Sequence, residues 1–145
     1  MDEETITKAV LGYFRRYYCE YGCMWHREPI SRRLRRPDLL FLQTRSNMLY
    51  IIEAEPTLPR AFDKRHGFAQ LKKYKGNYKW LAIPKDEWEK DEKYRLEDQC
   101  NATGVGLLTV SGTLRFRVTE IVQPCYIQGN FLRYYPNAEY EWYTE

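Results

Sequence analysis

The chain has 145 residues, 43% of them hydrophobic and 30% charged, with a formal net charge of +3. That balance excludes a disordered chain and fits one domain with one respectable core; the mild charge neither requires nor excludes nucleic acid. No apolar run approaches the ~20 residues needed to span a bilayer, so no membrane partner is expected.

The start, MDEETITKAV, is acidic and lacks the basic opening and long apolar middle of a secretory signal. It reads as the beginning of an intracellular, cytoplasmic protein. Residues 5–18 place Ile6, Val10, Leu11, Phe14, Tyr17 and Tyr18 on a helical stripe, with acids ahead of it that suit a helix N-terminus. Residues 22–27, with Met24 and Trp25, are a short strand candidate. Residues 38–44 and 48–55 are clearer strands. The polar Arg45-Ser46-Asn47 between them predicts an antiparallel hairpin. Both runs are apolar nearly throughout, which implies a sheet covered on both faces.

Pro56 and Pro59 stop the second strand. A helix is expected over about 60–76, with Phe62, Phe68, Leu71 and Tyr74 on its apolar side and Gly67 weakening or breaking it. Residues 79–84 are a third internal strand. Asp86 reads as the N-cap of a helix over about 87–100. Residues 101–106 form a turn, 105–110 a strand and 114–122 a last β segment. The tail beyond Pro124 is aromatic and irregular. The order αβββαβαβ predicts a single α/β domain over 1–145, with a core over about 3–122 and a mixed sheet flanked by helices.

Arg27, Arg32, Arg33, Arg35 and Arg36 form one basic segment. Lys64, Arg65, Lys72, Lys73, Lys75 and Lys79 form another. Either could contact phosphates, or simply be solvated surface. Cys19, Cys23 and His26 have a C-x3-C-x2-H spacing that admits a zinc site, but no second ligand pair is evident. Buried structural thiols are the expectation for the four cysteines, and disulfides are not expected in most cytosols.

The residues that carry chemistry lie on the hairpin. Asp38 opens one strand and Glu53 closes the next, so a hairpin brings them together. Glu55, two residues on, projects from the same face as Glu53. Carboxylates converging at the end of an apolar sheet repel one another and lose solvation, and a hard divalent cation offsets both costs. The plainer alternatives are a turn aspartate, a solvated strand end, and a Glu55 paired with Arg60 or Lys64 on the following helix.

Pro37-Asp38, fourteen intervening residues, Glu53-Ala54-Glu55 and then Gln70-x-x-x-Tyr74 on the next helix together resemble the PD-(D/E)XK nuclease superfamily, especially its RecB-like and archaeal resolvase-like branches. The resemblance implies an αβββαβ restriction-endonuclease-like core. It also implies a magnesium- or manganese-dependent deoxyribonuclease, acting as an endonuclease or exonuclease on DNA. Asp38 and Glu53 match the metal ligands, with the Ala54 carbonyl as a third. Gln70 matches a position that orients the site, and Tyr74 its partner one turn later. Under this reading Arg32, Arg33, Arg35, Arg36 and Lys72 grip phosphates, and a homodimer is common for domains of this size.

The departure is Glu55, where the superfamily has lysine. Either glutamate serves a metal or a water there, as in some restriction endonucleases of the family, or a lysine has moved to another element, Lys73 first and Lys64 next. The alternative is a catalytically inactive nuclease fold that binds nucleic acid or serves as an assembly module.

Overall fold

The structure, a computed structural model, describes residues 1–27, 37–135 and 142–144. Helix α1 spans Glu3–Tyr17. The Asp2 carboxylate caps it by accepting from the Thr5 N–H at 2.8 Å, and Glu3 and Glu4 in the first turn suit the positive end of its dipole. Ile6, Val10 and Phe14, four residues apart, are fully buried. Each contributes roughly 1.5–3 kcal/mol by leaving water.

Seven strands follow the expected order, with one addition: β1 (Cys23–Arg27), β2 (Leu39–Gln43), β3 (Met48–Ala54), β4 (Tyr78–Pro84), β5 (Gly106–Ser111), β6 (Arg117–Val122) and β7 (Tyr143–Thr144). They form one mixed sheet in the order β6-β5-β4-β3-β2-β1-β7. β3, β4 and β5 are parallel; the other pairs are antiparallel. β2 and β3 make the expected hairpin, and Asn47 takes the positive φ of 57° that its turn needs. The aromatic tail supplies β7, a two-residue strand on β1.

Strand alternation sorts the core onto both faces. Leu40, Leu42, Leu49, Ile51, Leu81, Ile83 and Leu107 pack with residues of α3 (Gly67–Lys73) and α5 (Arg95–Thr103). Leu39, Phe41, Tyr50, Ile52, Trp80, Leu108 and Val110 pack on α1. The sheet is therefore covered on both sides, as its unbroken apolar strands require.

Two expected helices are each divided. The segment expected as 60–76 is α2 (Leu58–Ala61), then α3. The break covers residues 62–66 and ends at Gly67, whose φ is +47° and where a Cβ would come within 2.3 Å of the Ala61 carbonyl oxygen. Tyr74 has already left the helix, with φ −80° and ψ 152°. The segment expected as 87–100 is α4 (Lys85–Glu89), then α5, separated by Tyr94 at φ 55°. Asp86 does not cap α4, which begins at Lys85. Asp91 does the capping instead, for α5, accepting from Arg95 N at 3.2 Å and Leu96 N at 2.8 Å. Among the described residues, no helix is long and apolar enough to cross a membrane.

The cysteines correct another expectation. Cys19 and Cys23 form a disulfide between the end of α1 and the start of β1, with their Cα atoms 5.1 Å apart. Their sulfurs are therefore not zinc ligands. Cys100 is a buried free thiol, as expected, whereas Cys125 is exposed.

Candidate functional site

The hairpin register places Leu39 opposite Ile52, so Asp38 stands opposite Glu53 one step further on. Main-chain groups lock the two in place. The Asp38 N–H donates to Glu53 Oε1 at 3.1 Å, and the Ala54 N–H donates to Asp38 Oδ2 at 2.8 Å. Glu53 and Glu55 share the strand face of Leu49 and Ile51, which looks toward α3. Glu53 is 6% exposed and Glu55 only 1%.

Burial is the first reason these carboxyls hold protons strongly. It pushes Asp38 up to about 8, and the charge of Glu3, at the N-terminus of α1, adds to this. Glu53 is raised well above the ordinary carboxylate range by burial, then by the charges of Asp38 and Glu55. Glu55 is raised to about 7 by burial, against the opposing pull of the Gly67 N–H and Arg60.

Glu55 has its own partners. The Gly67 N–H, at the start of α3, donates to Glu55 Oε2 at 2.5 Å. Arg60 Nε lies 3.7 Å from Glu55 Oε1, an ion pair too long for a hydrogen bond. Both atoms are buried and without a hydrogen-bond partner among the described residues. Arg60 Nη2 lies 3.1 Å from His66 Nδ1. The ion pair of Glu55 with Arg60, one of the plainer readings of the sequence, is thus present.

The remaining expected residues are distributed unevenly. Gln70 sits one turn into α3, and its Nε2 donates to the Arg65 carbonyl at 2.9 Å. α3 runs away from the carboxylates. Gly67 touches Glu55, whereas ten residues later the Asn77 N–H bonds the Leu49 carbonyl at the opposite end of β3. At 1.5 Å per residue, Lys73 lies ~9 Å further along the helix axis than Gly67. Lys72 and Lys73 are exposed there, and Tyr74 packs against the core. Lys64 is exposed in the loop before α3. The structure therefore brings Asp38, Glu53 and Glu55 together, keeps Gln70 one turn away, and leaves Lys72, Lys73 and Tyr74 apart. Arg32, Arg33, Arg35 and Arg36 lie outside the described residues.

Sequence reasoning missed Glu3, His66 and the Gly67 N–H as members of this site. Gly67 carried a signal, a glycine where a helix was expected to continue. Glu3 carried none beyond helix-end acidity. Among the described residues, no group of three or more histidine, cysteine, aspartate or glutamate side chains is placed to hold a metal ion. What the site offers a cation is the facing pair of Asp38 and Glu53.

No family model matches the chain, and no curated protein or solved structure is significantly similar to it.

Proposed function

We propose that the protein is a divalent-cation-dependent nuclease that hydrolyses DNA phosphodiester bonds at the Asp38–Glu53 end of its sheet. The observation that carries the reading is the facing pair itself. A buried Glu53 and a half-buried Asp38 are fixed against each other by main-chain N–H groups, and among the described residues no basic side chain bonds either. A resident cation relieves their repulsion. Magnesium commonly uses only one or two protein carboxylates, with waters and substrate phosphates completing its shell. The resemblance to PD-(D/E)XK nucleases supplies the activity and the αβββαβ core.

Asp38 and Glu53 would hold magnesium or manganese, with the Ala54 carbonyl as a further donor. When bound, the cation polarises the scissile phosphate and lowers the pKa of an attacking water. Glu55 gains or loses a proton near neutral pH, as a general base toward that water must. The Gly67 N–H and Arg60 hold its carboxylate in place. Arg60 is also the cation beside the position where the superfamily has lysine, and its side chain is 37% exposed, within reach of solvent and of a phosphate.

A second reading has an observation of its own: Lys73 is remote and Arg60 is engaged by Glu55. That arrangement favours a nuclease fold that binds nucleic acid, or serves as an assembly module, without cutting. The deciding experiment incubates the protein with single-stranded, duplex and branched DNA in manganese beside Asp38→Ala. Cleavage by the wild type, reduced at least ~100-fold in the variant, is expected, since even ligand-supporting residues are worth 10–100-fold. Equal cleavage by both proteins, or none by either, would sink the nuclease reading. Salt-sensitive binding without cleavage selects the second.

A further inference from the structure

One apolar-lined cleft is not at the carboxylates. It lies beside them, between the start of α1, α4 and the β5–β6 hairpin, with a volume of about 520 Å³. Its walls include Met1, Lys85, Asp86, Glu89, Val110 and Phe116. That volume is in the range of small-molecule sites.

Register places the cleft relative to the carboxylates. Ala54 pairs with Ala82, and Ala82 with Leu108. β5 continues to Ser111, three residues or ~10 Å beyond that level. The 112–116 turn therefore overhangs the end of the sheet that holds Asp38 and Glu53. It carries Phe116, 41% exposed, and Leu114, 96% exposed, with Arg115 between them and Arg117 following as the first residue of β6. A single exposed leucine needs no explanation. An exposed ring lining a cleft, flanked in the chain by exposed Arg115 and Arg117 and with Lys85 among the other lining residues, matches what a nucleotide presents: a flat apolar base and an anionic backbone.

We propose that this cleft is a nucleotide subsite for single-stranded DNA, a proposal that rests on the nucleic-acid reading above. One base stacks on Phe116, and the flanking phosphates lie against Lys85 and Arg115. The acidic wall makes the subsite selective. Asp86 and Glu89 repel phosphate, so they face the base, where carboxylates accept from an exocyclic amino group such as that of cytosine. Thymine has no such donor.

The test is fluorescence anisotropy at low salt in EDTA, with labelled ten-residue oligo-dC and oligo-dT, for the wild type, Phe116→Ala and Phe116→Tyr. A parallel cleavage assay of the wild type runs in manganese. Oligo-dC is expected to bind more tightly than oligo-dT. Phe116→Ala should weaken oligo-dC binding about five- to 150-fold, the worth of one base–aromatic stack, and Phe116→Tyr should restore it. Unchanged affinity in Phe116→Ala, no preference for oligo-dC, or no binding by the wild type overturns the subsite. Phe116-dependent binding without cleavage keeps the subsite and removes the nuclease. Cleavage with Phe116-independent binding does the reverse.

Discussion

Two buried polar sites stand at opposite ends of the same sheet, and they are built differently. At the start of β3 and β4, Asn77 is 1% exposed, and every polar group of its side chain is used. Its Oδ1 accepts from Leu49 N at 2.8 Å, and its Nδ2 donates to the carbonyls of Ile127 at 2.9 Å and Gly129 at 3.0 Å. Its own N–H and carbonyl bond Leu49 and Ile127. One amide thus ties β3, β4 and the tail together. At the other end, Asp38, Glu53 and Glu55 are gathered where they repel one another, and the Glu55–Arg60 pair leaves buried atoms without hydrogen bonds. A polar group buried for stability is satisfied by its neighbours. A cluster that raises its members' proton affinity is held by the rest of the fold and is available for chemistry.

The sharpest way to break this comparison is to remove the satisfied residue. Asn77→Ala strands the Leu49 N–H and two carbonyls, and is expected to cost about 3 kcal/mol in urea unfolding. An effect below ~1 kcal/mol would mean that Asn77 is not the staple described.

The carboxylate end should respond to pH and to metal instead. The folded state raises these carboxyls above their ordinary values of about 4, to about 8 for Asp38 and about 7 for Glu55. Between those limits the folded protein binds more protons than the unfolded chain. This stabilising contribution is therefore complete below pH ~4 and is lost as pH rises toward 8. Metal-free protein should lose stability across that window, and Asp38→Asn should flatten the slope. Manganese at 100 times its dissociation constant should add ~2.7 kcal/mol at pH 8 and progressively less toward pH 5, because protons compete for the same oxygens. A stability curve rising with pH in the metal-free protein would contradict the cluster's electrostatics.

The smallest effect is expected at the ion pair. Arg60→Ala leaves Glu55 buried without its cation. Complete burial would make that loss severe, but Arg60 is partly exposed, so ~1–2 kcal/mol is expected. The loss should be largest at high pH, where Glu55 is ionised, and should shrink as Glu55 protonates. A pH-independent loss would assign Arg60 to packing alone.

Much of this was legible in the sequence, for local reasons. The hairpin showed itself through two apolar runs and a three-residue polar turn, and its register alone sets Asp38 against Glu53. The mixed sheet followed from the element order. The partners of Glu55 were harder to read because they depend on where the chain turns. Arg60 could be named as one option, but the role of Gly67 required its positive φ and the close approach of Ala61. Lys73 shows the limit most clearly. Its spacing from Gln70 is right for a shared helical neighbourhood, yet the direction of α3 carries it away from the carboxylates. Spacing gives proximity along a helix, whereas direction is set by packing.

The two-residue strand β7 has a consequence for the company the protein keeps. Without it, β1 would be the outer strand of the sheet, its main-chain groups open to pairing with another chain. Tyr143 and Thr144 occupy part of that row, opposite Trp25 and Met24, and the Tyr143 ring stacks on Trp25 at 6.3 Å. The tail thus acts as a guard against edge-to-edge association. The opposite border, β6, carries Arg117, Thr119 and Glu120 among its apolar Val118, Ile121 and Val122. One border is interrupted by charged and polar residues and the other is covered by a borrowed strand, so removing Tyr143 and Thr144 is expected to favour edge-to-edge association, read as a concentration-dependent rise in light scattering.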